Sequence, residues 1–280
     1  MNKTAIALGT FDGVHMGHRA VIEATVNSGF KPVAVAFKFP PKMYFDNTVG
    51  CITSLSDKDA MLKNLGIEEV FYLDFPKIRD MSANDFLEYL KKQYNPSFIS
   101  CGFNYHFGKG GKGDTKLLAE FCKDNGIVLE ICQPVTVNGS TISSTYIREL
   151  LKDGEIEKAN KLLPREFGFC AAVIKGDERG RTIGYPTANQ LYPNELAEIK
   201  HGVYKSKITV NGKTYKAITN IGHRPTYETK MVGAETYIID FYDDIYGFIA
   251  DVRLVEFIRS EQKFDNIEQL KSAIENDLKK

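Results

Sequence analysis

Along the first half of the chain, short apolar runs alternate with stretches of helical spacing. Thr4 to Leu8, Lys31 to Phe37, Glu69 to Leu73, Ser97 to Cys101 and Ile127 to Cys132 are short and mostly apolar, as buried strands are. Between them the apolar positions recur every three or four residues. Ala20, Val21, Ile22 and Ala24 follow the first run, and Ser56-Asp57-Lys58-Asp59 opens a helix for which Gly66 is a natural end. Ser82 caps a helix running to about Tyr94 with Phe86, Leu87 and Leu90 on its inner face, and Thr115 to Asp124 is a helix closed by Gly126. Phe39-Pro40-Pro41 breaks regular structure, and a loop follows to about Gly50. This alternation predicts a mostly parallel, doubly wound sheet.

The rhythm then changes. Ile147 to Leu151 and Ile156 to Leu163 read as two short helices broken at Asp153-Gly154, a helical linker. Beyond Pro164 the spacing becomes that of strands: Phe167 to Ile174, Val203 to Val210, Lys213 to Ile221, Thr236 to Phe241 and Ala250 to Phe257. Asn211-Gly212 is a type I′ hairpin signal between two of them. One helix, Asn266 to Leu278, closes the chain. Short strands with short turns predict a compact antiparallel barrel. The expected fold class is therefore α/β plus mainly β, with a first domain over 1–152, a helical linker over 153–164 and a second domain over 165–280.

Composition narrows the setting. A chain of 280 residues has room for two domains with separate cores. Lys plus Arg and Asp plus Glu are 36 each, so the net charge is zero and gives no electrostatic support for binding nucleic acid or a membrane surface. The five cysteines form no C-x-x-C pair and read as free thiols in a reducing compartment. The apolar run before Gly9 is too short for a signal peptide, and no segment is apolar for long enough to span a bilayer. A soluble cytoplasmic protein is expected.

The candidate chemistry begins at Leu8-Gly9-Thr10-Phe11-Asp12-Gly13-Val14-His15-Met16-Gly17-His18. The position after a first parallel strand and before a helix is where open α/β sheets bind ligands. The helix N-terminus offers an anion site, and two imidazoles three residues apart suit an oligophosphate. The stretch is neither a P-loop nor a dinucleotide fingerprint, and two His without further ligands make a poor metal site. Two later stretches fall at the same predicted edge. Gly102-Phe103-Asn104-Tyr105-His106-Phe107-Gly108, followed by a Gly- and Lys-rich run to Asp114, combines phosphate-binding character with aromatics that could flank a planar ring, or is a polar loop. Ile142-Ser143-Ser144-Thr145-Tyr146-Ile147-Arg148 offers hydroxyls that cap a helix or bind phosphate, and an Arg that can bind phosphate bidentately. In the second half, Thr187 and Asn189 are hard oxygen ligands at a Pro-Thr-Ala-Asn corner, which could complete a Mg²⁺ shell with nucleotide phosphates or simply satisfy a turn. Alternation places Glu235 on the side of Tyr237, Ile239 and Phe241, at an exposed strand end or as a positioned base.

The opening motif resembles the H-x-G-H signature of nucleotidylyltransferases, and G-T-F-D-G-V-H-x-G-H resembles their flavin-adenylylating branch. The three N-terminal pieces, in order, resemble the adenylyltransferase half of the bifunctional prokaryotic riboflavin kinase/FAD synthetase family. The later G-R-x-x-G-x-P-T-A-N, H-G-V-Y, N-I-G-x-R-P-T, E-T-Y-I-I-D-F and I-R-S-E-Q-K-F segments resemble its riboflavin kinase domain. The resemblance implies an enzyme that phosphorylates riboflavin to FMN and adenylylates FMN to FAD and pyrophosphate, with ATP as co-substrate and Mg²⁺ as cofactor. It further implies that His15 and His18 contact the ATP phosphates, with His18 stabilising the transition state. Gly9, Phe11, Asp12, Gly17, Ser143, Ser144, Thr145 and Arg148 would form the rest of that phosphate site, and Asn104 would lie near nucleotide or flavin. In the second domain it implies that Thr187 and Asn189 hold Mg²⁺ and phosphate, that Arg181 contacts ATP, that Glu235 is the base and that Arg259 lies in a segment closing over flavin. Tyr105 and His106 depart from the commoner family pattern, as does Leu163-Pro164-Arg165-Glu166-Phe167. The rival readings are a kinase with a weak adenylyltransferase half and a non-catalytic flavin-binding regulator.

Overall fold

The computed structural model describes residues 3–137, 139–176, 180, 183–223 and 231–280. Arg181 and part of the N-I-G-H-R-P-T segment lie outside the described residues. The chain divides into two units, Met1–Tyr146 and Ile147–Lys280.

In the first unit, strands β1 (Thr4–Leu8), β2 (Lys31–Phe37), β3 (Glu69–Leu73), β4 (Pro96–Gly102) and β5 (Val128–Cys132) form a parallel sheet in the order β3-β2-β1-β4-β5. Pairing runs in opposite directions from β1, to β2 on one side and β4 on the other. The C-terminal end of β1 is thus a topological switch point, where such sheets place ligands.

Side-chain alternation sorts the strands between two cores. Ile6, Leu8, Val33 and Val35 face Phe86, Leu87 and Leu90 of α4 (Ala83–Tyr94), and Leu118 and Cys122 of α5 (Thr115–Asp124). Ala7, Ala34 and Ala36 face Val21 and Ile22 of α1 (Met16–Val26), and Met61 and Leu62 of α2 (Leu55–Asn64). Helix α2 starts ahead of the predicted Ser56, because Ser54 is the residue whose Oγ accepts the Asp57 N–H, at 3.1 Å. A one-turn helix α3 (Phe75–Ile78) and a small hairpin of β6 (Thr136–Val137) and β7 (Ser140–Thr141) were not predicted, being too short to show a period.

The division between the units falls within α6 (Ser144–Asp153), which α7 (Ile156–Leu162) follows. Six antiparallel strands come next: β8 (Gly168–Ala172), β9 (Thr187–Leu191), β10 (Gly202–Val210), β11 (Lys213–His223), β12 (Val232–Ile238) and β13 (Ile249–Arg259). Their order is β8-β13-β10-β11-β12-β9. A bridge between Ile174 and Asn189 draws the two edges together, so the predicted barrel is nearly closed. Helix α8 (Ile267–Lys279) ends the chain, with Asn266 as its cap. Asn211 and Gly212 both have positive φ, as a type I′ turn requires. The strand expected at Thr236 to Phe241 instead spans Val232–Ile238, because Asp240 adopts a left-handed backbone and turns the chain. Among the described residues, no helix is long and apolar enough to cross a membrane.

The barrel interior carries a polar seam. Ser206, Thr219 and Thr236, buried on three adjacent strands, link hydroxyl to hydroxyl at 2.8 and 2.9 Å. Thr219→Val keeps the shape but removes the middle hydroxyl from both contacts. It should lower the stability of the second unit by about 1–3 kcal/mol, read as a shifted urea midpoint for that unit's transition.

Candidate active sites

The turn between β1 and α1 is held in an unusual backbone. Phe11 (φ 54°) and Val14 (φ 42°) carry side chains in the left-handed region, which is uncommon for bulky or β-branched residues and concentrates at functional sites. Both are completely buried. Four hydrogen bonds also hold the turn. The Asp12 carboxylate accepts the N–H groups of Ile52 (2.9 Å) and Thr53 (3.4 Å), the Gly13 N–H donates to Thr53 Oγ1 (3.2 Å), and Ser144 Oγ donates to the Asp12 carbonyl (3.0 Å). Asp12 is therefore buried beneath the turn. A side chain at Gly9 would stand 3.0 Å from the Phe11 ring, and one at Gly17 would stand 3.3 Å from the His15 ring, so at either position it would crowd a ring of the turn.

This packing stacks the two imidazoles. The His15 and His18 ring centroids are 3.7 Å apart with planes 18° from parallel, and the Phe11 ring meets His18 edge-on at 5.3 Å. His15 is the N-cap residue of α1, and the His18 N–H donates to its carbonyl at 2.8 Å. Nδ1 of His18 is sealed from solvent without a hydrogen-bond partner among the described residues. Burial, then the neighbouring His15 and Lys58, hold the His18 imidazolium well below its ordinary acidity range, so His18 is neutral near pH 7. Across the turn, Ser143 Oγ accepts the Tyr146 N–H (3.2 Å) and so caps α6. Thr145 is exposed, and Arg148 follows in the next turn of α6.

Beside this turn, Tyr105, His106 and Phe107 line a cleft of about 520 Å³ with Phe37, Phe45 and Phe75, and with Arg79 and Lys109. Asn104 is exposed on the turn after β4, outside that lining. Phe37, Phe45, Phe75 and Arg79 escaped sequence reasoning because they come from separate strand ends. The available signal was only that aromatics follow β2 and β3.

In the second unit, register makes the site. Asn189 on β9 pairs with Glu235 on β12, Glu235 with Asn220 on β11, Asn220 with Val203 on β10, and Val203 with Arg259 on β13. All five line one cavity of about 360 Å³, together with Thr187, Tyr185, Tyr237, Phe264 and three residues of α8. Glu235 is exposed in mid-strand rather than at a strand end, between two carboxamides. Tyr237 shares its side as predicted, whereas Ile239 and Phe241 lie past the end of β12. Burial pushes the Tyr237 phenol up, and its ring meets Tyr185 edge-on at 5.3 Å. A smaller cavity of about 220 Å³, walled by the Phe241 to Tyr246 segment, also opens on Thr187 and Asn189. Asn189 Nδ2 donates to the Thr187 carbonyl at 3.2 Å, which directs Oδ1 away from that contact. Arg259 grips Asp277 of α8 through both carboxylate oxygens, Nε to Oδ1 at 3.0 Å and to Oδ2 at 3.1 Å and Nη2 to Oδ2 at 2.8 Å, with the Phe264 ring 5.7 Å from its guanidinium. Asn220 and Asp277 were not predicted, since only the register and the docked helix give them meaning.

Comparison with known proteins places both units. A family model described as FAD synthetase matches residues 1–146, and one described as Riboflavin kinase matches residues 163–280. The bifunctional riboflavin kinase/FMN adenylyltransferase of Listeria monocytogenes is 34% identical, covering 97% of this chain and 89% of its own length. That of Bacillus subtilis is 34% identical, with 98% and 90% covered. A solved structure from Streptococcus pneumoniae, described as a macrolide-efflux protein, matches with a TM-score of 0.91 at 29% identity, covering 100% of this chain and 94% of that one. With both of its units matched and the relatives aligned nearly end to end, the chain belongs to the bifunctional riboflavin kinase/FMN adenylyltransferase family.

Proposed function

We propose that the family's two reactions run at two separate sites, one in each unit. As a riboflavin kinase the chain makes FMN from riboflavin and ATP, and as an FMN adenylyltransferase it makes FAD from FMN and ATP. The observation that carries the two-site reading is the placement of the residue sets: the stacked histidines stand in Met1–Tyr146 and the Glu235 row in Ile147–Lys280.

In the first unit, an FMN phosphate oxygen attacks the α-phosphorus of ATP and pyrophosphate leaves. Neutral His18, packed between His15 and Phe11, donates a hydrogen bond to the oxygen on which charge grows. Gly9 and Gly17 let the triphosphate approach the backbone. Ser143, Ser144 and Thr145 form its other wall, while Phe11 and Asp12 act from below by fixing the turn. Asn104 and the aromatic cleft bind the flavin side.

In the second unit, Glu235 takes the proton of the ribityl 5′-hydroxyl as that oxygen attacks the γ-phosphorus of ATP, and ADP leaves. Asn189 and Asn220 flank the carboxylate and restrict its orientation. Thr187 Oγ1 and Asn189 Oδ1 are a donor set that fits Mg²⁺, being hard, neutral and too few without nucleotide phosphates. Bound there, Mg²⁺ supplies neutralisation of phosphate charge. Arg259, held by Asp277, orders the flavin wall. The enzyme works in the cytoplasm.

Two variants separate the sites. His18→Ala should cut FAD formation from FMN by about 10²–10³-fold and leave FMN formation at the normal rate. Glu235→Gln should cut FMN formation from riboflavin by about 10²–10⁴-fold and leave FAD formation from supplied FMN intact. Loss of both activities in either variant, with the protein folded, refutes separate sites.

A second measurement addresses the charge state. In ¹⁵N NMR of histidine-labelled protein, His18 should remain neutral as the pH falls through 6.5, because its folded-state pKa is depressed. Protonation of His18 at or above that pH contradicts the stacked, neutral arrangement.

A further inference from the structure

We propose that Lys58 is a positioning residue for adenylyl transfer, clamping the glycine turn after β1 to the chain that leaves β2; this rests on the reading that the histidine turn is the adenylylation site. Lys58 lies on α2 and is 1% exposed, an unusual burial for an ammonium group. Its Nζ donates to three main-chain carbonyls, those of Phe37 (2.7 Å), Lys38 (2.9 Å) and Thr10 (3.4 Å). The Tyr72 ring lies 5.6 Å away. An ammonium has three N–H donors and no acceptor, so three carbonyls use it fully.

The carbonyls themselves say what the clamp holds. Phe37 ends β2, Lys38 follows it, and Thr10 lies between Gly9 and the strained Phe11. The last β1–β2 pair is Leu8 with Val35, so beyond that point the sheet ladder no longer ties the two segments together. Lys58 ties them instead, from inside, at the edge where the ligand sits. Phe11 in turn contacts both Gly9 and His18, so a shift at Thr10 is passed directly to the imidazole stack.

A neutral structural residue would not account for the charge. Burying an ammonium is unfavourable, and burial lowers the pKa of Lys58, with Asp12, Cys51 and Asp59 acting in the opposite direction. The two cationic influences on His18 are the stacked His15 from the α1 cap and Lys58 from α2. Both disfavour a proton on His18. Lys58 thus sets the position of the turn and helps hold the imidazole in its neutral form.

Lys58→Met in the full-length protein keeps the stem and removes the charge. The expected result is FAD formation with kcat/KM for ATP lowered by roughly tenfold to a hundredfold. Riboflavin phosphorylation should stay normal, and the NMR titration of His18 should move to higher pH. Lys58→Arg, which keeps the charge, should leave the His18 titration in place. A folded Lys58→Met protein that forms FAD at the normal kcat/KM overturns the proposal. So does slowed FAD formation with His18 titrating as before, since that would make Lys58 a packing residue only. If Lys58→Met does not fold, Lys58→Gln is read by the same criteria, and failure of both to fold also overturns it by making Lys58 a requirement of the fold. Failure of the unaltered protein to convert FMN and ATP into FAD would instead remove the reading on which the proposal rests.

Discussion

Two residues with bulky side chains, Phe11 and Val14, are held in a backbone region that each would leave at once if the surroundings allowed it. Each such residue costs about 1–3 kcal/mol. The offsetting terms are visible: complete burial of both side chains, a carboxylate beneath the turn bonded to two amides, and a serine from the start of α6 bonded to the turn's own carbonyl. The result is a short stretch with little freedom. That rigidity lets two imidazoles stand face to face, an arrangement that protonation of both rings together would oppose. Strain in the main chain and the neutrality of His18 are therefore one constraint seen at two levels.

The second unit reaches order by a different route. Its site has no unusual backbone of this kind at the row itself. Hydrogen-bonded pairing sets Asn189, Glu235, Asn220, Val203 and Arg259 side by side on successive strands. A slip of one residue in any strand would send that strand's member to the barrel interior. The interior is already occupied by fitted groups such as the Ser206–Thr219–Thr236 seam, so a slip would also bury unmatched polarity. The core thus enforces the register, and the register enforces the site.

These two routes explain what could be read in the chain beforehand. Strands with apolar runs were legible to the residue: Lys31–Phe37 and Glu69–Leu73 have the bounds their pattern predicts. Helix α2 was placed late because Ser54 and Ser56 offer the same capping chemistry, and only the fold selects between them. Strand β9 was read as a rigid corner, since Thr187–Leu191 is polar at its start and follows a proline; its pairing with β12 is tertiary. Of the candidate site residues, those close in sequence could be picked out beforehand, namely His15 with His18, Thr187 with Asn189, and Glu235 by its alternation with Tyr237; the structure stacks the first pair and brings the other three to one cavity. Asn220, Asp277, Phe45, Phe75 and Lys58 were not, because each becomes part of a site only through a neighbour distant in sequence.

The same contrast governs charge. A chain with equal numbers of acidic and basic residues has no net field with which to draw in a polyphosphate. Selection of charge must then happen within the pockets. In the proposed first site His18 is held neutral mainly by burial, with His15 and Lys58 adding to it, so its hydrogen bond would serve a growing negative charge without a proton having to leave or arrive. The second sets a single carboxylate between carboxamides, which constrain its direction without neutralising it. On the proposed assignment, one site suits stabilisation of charge on a phosphorus centre, the other removal of a proton from an incoming hydroxyl. That division matches the different nucleophiles of the two reactions, since a phosphate oxygen is already ionised and an alcohol is not.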